Sequence, residues 1–385
     1  MKNIVLLGGS HSVMADGLQK GLRSGVLKLN EESTIFNFYN FAIGGCTSIQ
    51  NLYEVVRHRH ILNNADLIIT ESNINEIYNH YFIQNMPLKL IYRDLNWFYK
   101  ELYFLNKKII VIILAENIIK DGDKKNVAII NNIHRKLSYK FGFNIIDFDR
   151  YYFDKNLYHF SKLLEPGVHQ CSIILRELGL SIMDNIKSFS KSKISSIKND
   201  NPHFKIITPK NMKLIKGNIP SRIIHNAMYK EKVYRLNYFT KLQFPIELNG
   251  YFILGLHGWN NEMEEQIKHK GWNERIRTYS SIVIYNEHNM ITKEVAFLNQ
   301  FINLNNIIFV LKDENFLEIN KDNSRIFSEL CVNVETWHND SIQIDFCDLI
   351  GFLLASPEGN YYTEEIDFEA LANENIKIPE EYDFN

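Results

Sequence analysis

The chain has 385 residues, is 45% hydrophobic and 23% charged, and carries a formal net charge of -2. This is the make-up of a globular protein with a large core and room for two domains, and it argues against a nucleic-acid binder that relies on overall basicity. The start, Met1-Lys2-Asn3-Ile4, runs into an apolar stretch without a signal-peptide pattern, no window approaches a membrane span, and Cys46, Cys171, Cys331 and Cys347 lack both CxxC spacing and disulfide-scaffold density, so a cytoplasmic chain is expected.

Residues 1–186 alternate strand-like and helix-like segments. Ile4–Leu7, Ile35–Tyr39, Leu67–Thr70, Ile109–Leu114 and Phe143–Phe148 read as strands, and Leu88–Leu105 and Val127–Phe141 carry helix formers at helical spacing. Such alternation predicts an α/β domain, a parallel sheet covered by helices on both faces, with ligands at the carboxyl ends of its strands. Between 187 and 216, lysines interleave with serines, asparagines and two prolines and no apolar period survives, which reads as a basic linker. From 217 to 385, short β-branched or aromatic runs at Lys232–Tyr238, Tyr251–Leu256, Ser280–Tyr285, Ile307–Leu311, Leu330–Val334 and Ile342–Phe346 predict an all-β domain, sandwich or jelly-roll-like. The acidic tail, from Glu364 to Asp383, reads as a solvated terminus.

The chemistry is sought first at Gly8-Gly9-Ser10-His11-Ser12, where the first strand gives way through a glycine turn to helical spacing at Met14, Leu18 and Leu22. A serine there projects its hydroxyl above the carboxyl edge of the sheet, beside backbone N–H groups able to hold an oxyanion. The plainer reading is that Ser10 or Ser12 caps the helix. Competing phosphate-loop readings fail: there is no G-x-G-x-x-G, no acid ends the second strand at Phe36-Asn37-Phe38, and no G-x-x-x-x-G-K-[ST] occurs. His58-Arg59-His60 is the closest histidine pair and no HExxH exists, so no metal site is expected.

Later loops supply partners for a serine nucleophile. Asn40 to Thr47 contains Gly44-Gly45, whose backbone can approach a reacting centre, and Glu71-Ser72-Asn73-Ile74-Asn75-Glu76 offers an asparagine amide. Glu165-Pro166-Gly167-Val168-His169 presents an imidazole before a helix-like run with Leu175, Leu178, Ile182 and Ile186. Serine, glycine, asparagine and histidine in this order resemble the SGNH (GDSL) hydrolase superfamily over residues 1–186. The first block, G-D-S, matches Gly8-Gly9-Ser10 with glycine in place of aspartate; N-x-x-x-x-G-x-T matches Asn40 to Thr47. The third block, G-x-N-D, falls on Asn73 to Glu76, and the histidine of D-x-x-H falls on His169.

The resemblance implies a three-layer α/β/α domain with Ser10 as nucleophile, an oxyanion hole from the Ser10 N–H, the Gly45 N–H and the Asn75 amide, and His169 as base. The aspartate of the last block is absent, since Pro166 stands three residues before His169. Glu165 as orienting acid, a backbone carbonyl in a Ser-His dyad, and a weakened or dead enzyme are three open explanations. Asp147, Asp149 and Asp154 are more distant candidates for the orienting acid, or strand-end capping or solvated groups; His11 reads as a substrate contact or an exposed polar residue, and His159 as a rival to His169. The activity implied is acyl transfer through an acyl-serine intermediate: O-acetyl transfer to a glycan hydroxyl with acetyl-CoA as donor, or ester hydrolysis. A catalytically degenerate glycan-binding protein is the other class. Trp259, Trp272 and Trp337 suit either sugar stacking or core packing.

Overall fold

The apolar run at the chain start forms β1 (Lys2–Gly8), near the middle of a five-stranded sheet. The computed structural model describes residues 2–32, 35–83, 85–116, 124–157, 159, 169–260, 278–304, 309–321, 342–361 and 366–374. With β2 (Phe36–Asn40), β3 (Ala65–Glu71), β4 (Lys108–Ile113) and β5 (Asn144–Asp147), the sheet runs in the order β2-β1-β3-β4-β5, every pairing parallel. Ile4 to Leu7, Leu67 to Ile69 and Ile109 to Ile113 are all buried, continuous apolar runs of the kind that strands covered on both faces require. Strand order reverses between β1 and β3, the switch point at which open α/β sheets place ligands.

Helices follow each strand. They are α1 (Ser10–Val13) and α2 (Leu18–Glu32) after β1, α3 (Ser48–Arg57) and α4 (Arg59–Leu62) after β2, and α5 (Asn73–Tyr78) and α6 (Leu88–Phe104) after β3. Then come α7 (Lys124–Phe141) after β4, and α8 (Phe148–Asp154) and α9 (Ser172–Asp184) after β5. α2 and α9 cross through two glycines: a Cβ on Gly21 would lie 2.0 Å from the Arg176 carbonyl oxygen, and one on Gly179 2.6 Å from that of Leu18. β5 stops before Phe148 because the Asp147 side chain accepts the Arg150 N–H at 2.9 Å and caps α8.

This α/β unit comprises residues 1–81, 86–201 and 361–385. The stretch expected as a linker is no free tether. Up to 201 it lies along the α/β unit: Asn144 Nδ2 donates to the Ser190 carbonyl at 2.9 Å, Tyr103 Oη to that of Ile194 at 2.7 Å, and Asn201 Nδ2 to that of Trp97 at 3.0 Å. Residues 204–216 contain two strands. The acidic tail likewise carries a helix, α10 (Phe368–Asn373), held to α7 by Asn132 Nδ2 on the Leu371 carbonyl at 2.6 Å and by Lys125 on Glu369 at 2.5 Å. Side-chain donors on α7 thus hold a segment whose charge pattern alone read as solvated.

The second unit, residues 82–85 and 202–360, is all-β. One sheet has the order β13-β12-β15-β10-β7, from Met290–Ala296, Thr278–Tyr285, Phe316–Ile319, Lys241–Gln243 and Lys213–Lys216, with β16 (Ile342–Gln343) on β12. The other has β14-β11-β17-β9-β8, from Gln300–Asn303, Phe252–Gly258, Phe346–Ala355, Lys230–Asn237 and Ser221–His225, with β6 (Phe204–Ile207) on β17. Leu242, Ile282 and Leu317 of the first sheet share one core with Leu236, Leu256 and Phe352 of the second, the arrangement of a sandwich. Trp259 is buried with Val233 and Ile350, so it is a core residue and not a sugar platform. Leu330–Val334, Trp272, Trp337 and Cys331 lie outside the described residues.

Candidate active site

Ser10 is half-buried and opens α1, so its N–H has no carbonyl one turn earlier to bind. Among the described residues its hydroxyl has no hydrogen-bond partner. Ser12 differs: it is fully buried and its Oγ donates to Glu71 Oε1 at 2.8 Å. The same oxygen accepts the Gly9 N–H at 2.9 Å and the Ser12 N–H at 3.1 Å. The sheet register sets this up, since Gly8 on β1 lies opposite Glu71, the last residue of β3. Burial pushes the Glu71 carboxyl up to about 7, against the pull of its hydrogen bonds from Ser12 and Gly9. Sequence reasoning passed over Glu71. Its signal was a carboxylate closing a strand too apolar to keep it in water.

The loops after β2 and β3 meet at the same place. Asn75, in the first turn of α5, donates from Nδ2 to the Cys46 carbonyl at 2.9 Å. A Cβ added to Gly9 would lie 1.4 Å from that nitrogen, so the amide rests on the Gly9 backbone, one residue from Ser10. A side chain at position 9 would displace the Asn75 amide. Gly45 has φ +72, in the left-handed region that favours glycine. Asn79 Nδ2 reaches its carbonyl at 3.4 Å and that of Asn75 at 2.8 Å. Glu76 Oε1 accepts the Ser48 N–H at 2.7 Å, which ties α5 to the start of α3. Ser10, the Gly45–Cys46 loop and Asn75 are therefore neighbours.

His169 arrives from the far end of the unit. Gln170 donates its N–H to His11 Nε2 at 3.1 Å and its side-chain nitrogen to the Ala115 carbonyl at 2.7 Å, and the His11 and His169 rings meet edge-on with centroids 5.1 Å apart. His11 is wholly buried, which corrects the expectation of an exposed or substrate-facing residue; its neighbour in space is the segment that carries His169. Among the described residues no hydrogen bond joins His169 to the Ser10 hydroxyl. His159 is exposed, and Glu165 and Pro166 lie outside the described residues. Of the aspartates, Asp147 and Asp149 bind Arg135 at 2.7 and 2.8 Å, and Asp154 binds Arg150 at 3.0 Å.

Beside this cluster, Glu76, His134 and Tyr99 form a buried polar column. His134 Nε2 lies 3.6 Å from Glu76 Oε2, and His134 Nδ1 lies 2.8 Å from the Tyr99 hydroxyl. Burial, and next the Glu76 charge, hold the Tyr99 hydroxyl well above the ordinary phenol range. Among the described residues, metal-type ligands gather only at Glu287, His288 and Asp313, whose ligand atoms lie within 4.8 Å of one another. All three are exposed in the β unit, where such groups commonly gather without an ion.

No family model and no curated protein matches the sequence. Similar solved structures include an acetyl xylan esterase, 16% identical, with a TM-score of 0.39 over 47% of this chain and 98% of that one. A lipase/acylhydrolase from Enterococcus faecalis is 13% identical, with a TM-score of 0.39 over 50% of this chain and 100% of its own. A member of the lipolytic G-D-S-L family from Veillonella parvula is 16% identical, with a TM-score of 0.37 over 48% of this chain and 97% of its own. Each of these likenesses covers about half of this chain, and none says what Ser10 does.

Proposed function

We propose that the protein is a serine-dependent acyl-transfer enzyme, with Ser10 as nucleophile and His169 as base. One observation carries the reading: the Asn75 amide lies against Gly9, one residue before Ser10, while bonded to the Cys46 carbonyl beside Gly45. This supports a reading in which nucleophile and oxyanion donors come from three loops. In the proposed reaction His169 accepts the Ser10 proton as Oγ attacks an ester carbonyl, and the carbonyl oxygen takes up the charge. The Ser10 N–H, the Gly45 N–H and the second N–H of the Asn75 amide hold it. The leaving alcohol or thiol takes the proton from His169, which leaves an acyl group on Ser10. A second hydroxyl, deprotonated by His169, releases that acyl group. Water makes the enzyme an esterase; a sugar hydroxyl makes it an O-acetyltransferase, with acetyl-CoA as donor. Our reading is acetyl transfer to a glycan, with Glu165 as the acid that orients His169.

The test is labelling by a fluorophosphonate probe and turnover of p-nitrophenyl acetate by wild type, Ser10→Ala and His169→Ala. Wild-type labelling that both variants lose supports the reading. Equal activity in all three sinks it, and an inert wild type points to a binding protein without catalysis. Incubation with acetyl-CoA and candidate glycans separates the two enzymes, because transfer adds mass to the sugar and hydrolysis releases acetate.

A further inference from the structure

The two residues before Ser10 are glycines and carry no side chain with which to hold the turn. Gly8 and Gly9 are packed too closely to accept one: a Cβ on Gly8 would lie 2.5 Å from Ser12 Oγ and 2.7 Å from Glu71 Oε1, and one on Gly9 1.4 Å from Asn75 Nδ2. Nor does α1 sustain its shape alone, because its four residues are far fewer than an isolated helix needs. Asn40 Nδ2, at the end of β2, holds the Ser12 carbonyl at 2.9 Å, and a second anchor comes from β3. Glu71 Oε1 takes the Gly9 N–H, the Ser12 N–H and the Ser12 hydroxyl, at 2.9, 3.1 and 2.8 Å. These donors stand on both sides of Ser10 in the chain, which leaves Ser10 suspended between two fixed points.

A purely structural purpose explains this poorly. The Glu71 carboxyl is 1% exposed and its second oxygen, Oε2, has no hydrogen-bond partner. A buried carboxyl with one oxygen unused costs stability compared with an apolar residue. What the group supplies is a single acceptor for three donors in the one turn where a nucleophile must be aimed.

We infer that Glu71 is a positioning residue for Ser10: by fixing Gly9 and Ser12 from beneath, its Oε1 sets the direction of the Ser10 hydroxyl and of the Ser10 N–H together. This deepens the acyl-transfer reading and rests on it. Glu71 is 1% exposed and bonds to Gly9 and Ser12, so it acts through the turn and not on substrate. Its substitution therefore acts on the rate of Ser10 acylation and leaves substrate binding nearly untouched.

The experiment compares the full chain with Glu71→Ala, Glu71→Gln and Ser12→Ala. It reads kcat and KM on p-nitrophenyl acetate, the rate of fluorophosphonate labelling, and hydrogen exchange in the peptide spanning residues 7–14. Glu71→Ala is expected to lower kcat and the labelling rate by about ten- to a hundredfold with KM within about threefold, the cost of a misaimed group. Glu71→Gln keeps an acceptor oxygen at Oε1 and is expected to restore both rates to within about threefold, along with slow exchange. Ser12→Ala removes one donor of three and falls between them. A Glu71→Ala variant at the wild-type rate overturns the role, as does a Glu71→Gln variant as slow as Glu71→Ala. If Glu71→Ala does not fold, Ser12→Ala decides, and an unchanged labelling rate there overturns the role. These outcomes are distinct from failure of the acyl-transfer reading, which shows as an unlabelled wild type or as labelling that survives Ser10→Ala, and which removes the role with it.

Discussion

The backbone N–H of Gln170 donates to Nε2 of His11 at 3.1 Å, across 159 residues of sequence. It binds the segment carrying His169 to the residue that follows Ser10. Because Nε2 accepts, the ring proton of His11 is assigned to Nδ1. The close α2–α9 crossing at Gly21 and Gly179 brings the two segments within reach.

If this bond sets the place of His169, His11→Ala should lower kcat for acetyl-ester turnover by about ten- to a hundredfold. His11→Phe, which keeps a ring but loses the acceptor, should recover little of it. Circular dichroism on the same samples shows whether each variant is folded, and a folded His11→Ala at full rate would mean that His169 finds its place without His11.

Loss of the Asn75 amide removes a donor that the proposed oxyanion needs. Asn75→Ala should reduce kcat by about a hundred- to a thousandfold. The variant also leaves the Cys46 carbonyl without this partner. Steady-state kinetics checks it, and a drop below tenfold would take Asn75 out of the oxyanion hole.

Gly9→Ala drives a methyl into the space of Asn75 Nδ2, 1.4 Å away. Overpacking of this kind costs about 1–3 kcal/mol, so the midpoint of urea unfolding should fall. Gly44→Ala makes the control, since a Cβ there meets nothing within 4 Å. Equal midpoints would show that Asn75 moves aside freely.

Burial raises the Glu71 carboxyl from 4.5 to about 7, so between those values the folded chain holds a proton that the unfolded chain has released. The proton's contribution to stability is full below pH 4.5 and is lost as pH rises through 7. It amounts to about 3 kcal/mol at most. Glu71→Gln lacks this dependence. Unfolding free energies at pH 4.5 and 8 should show wild type losing stability relative to Glu71→Gln as pH rises, and a constant difference would refute the raised value.

Much of the α/β half was legible in the chain. Apolar runs named all five parallel strands to within a few residues, and glycine turns marked the loops after the first two. The β half was harder to read. Strands such as Lys213–Lys216 and Ser221–His225 are largely exposed and carry no alternation of apolar and polar residues. The basic stretch after Lys187 misled for a related reason: its backbone carbonyls, not its side chains, make the contacts with Asn144 and Tyr103.

By itself the sequence determined the parallel sheet and the loops on which chemistry is to be sought, because strand runs and glycine turns are local properties. Only the tertiary structure decided which side chains meet there. Glu71 reaches the Gly9 turn across 62 residues, Asn75 rests on Gly9, and His11 receives Gln170. Those meetings depend on strand order, register and a glycine crossing of two helices, none of which periodicity along one chain encodes.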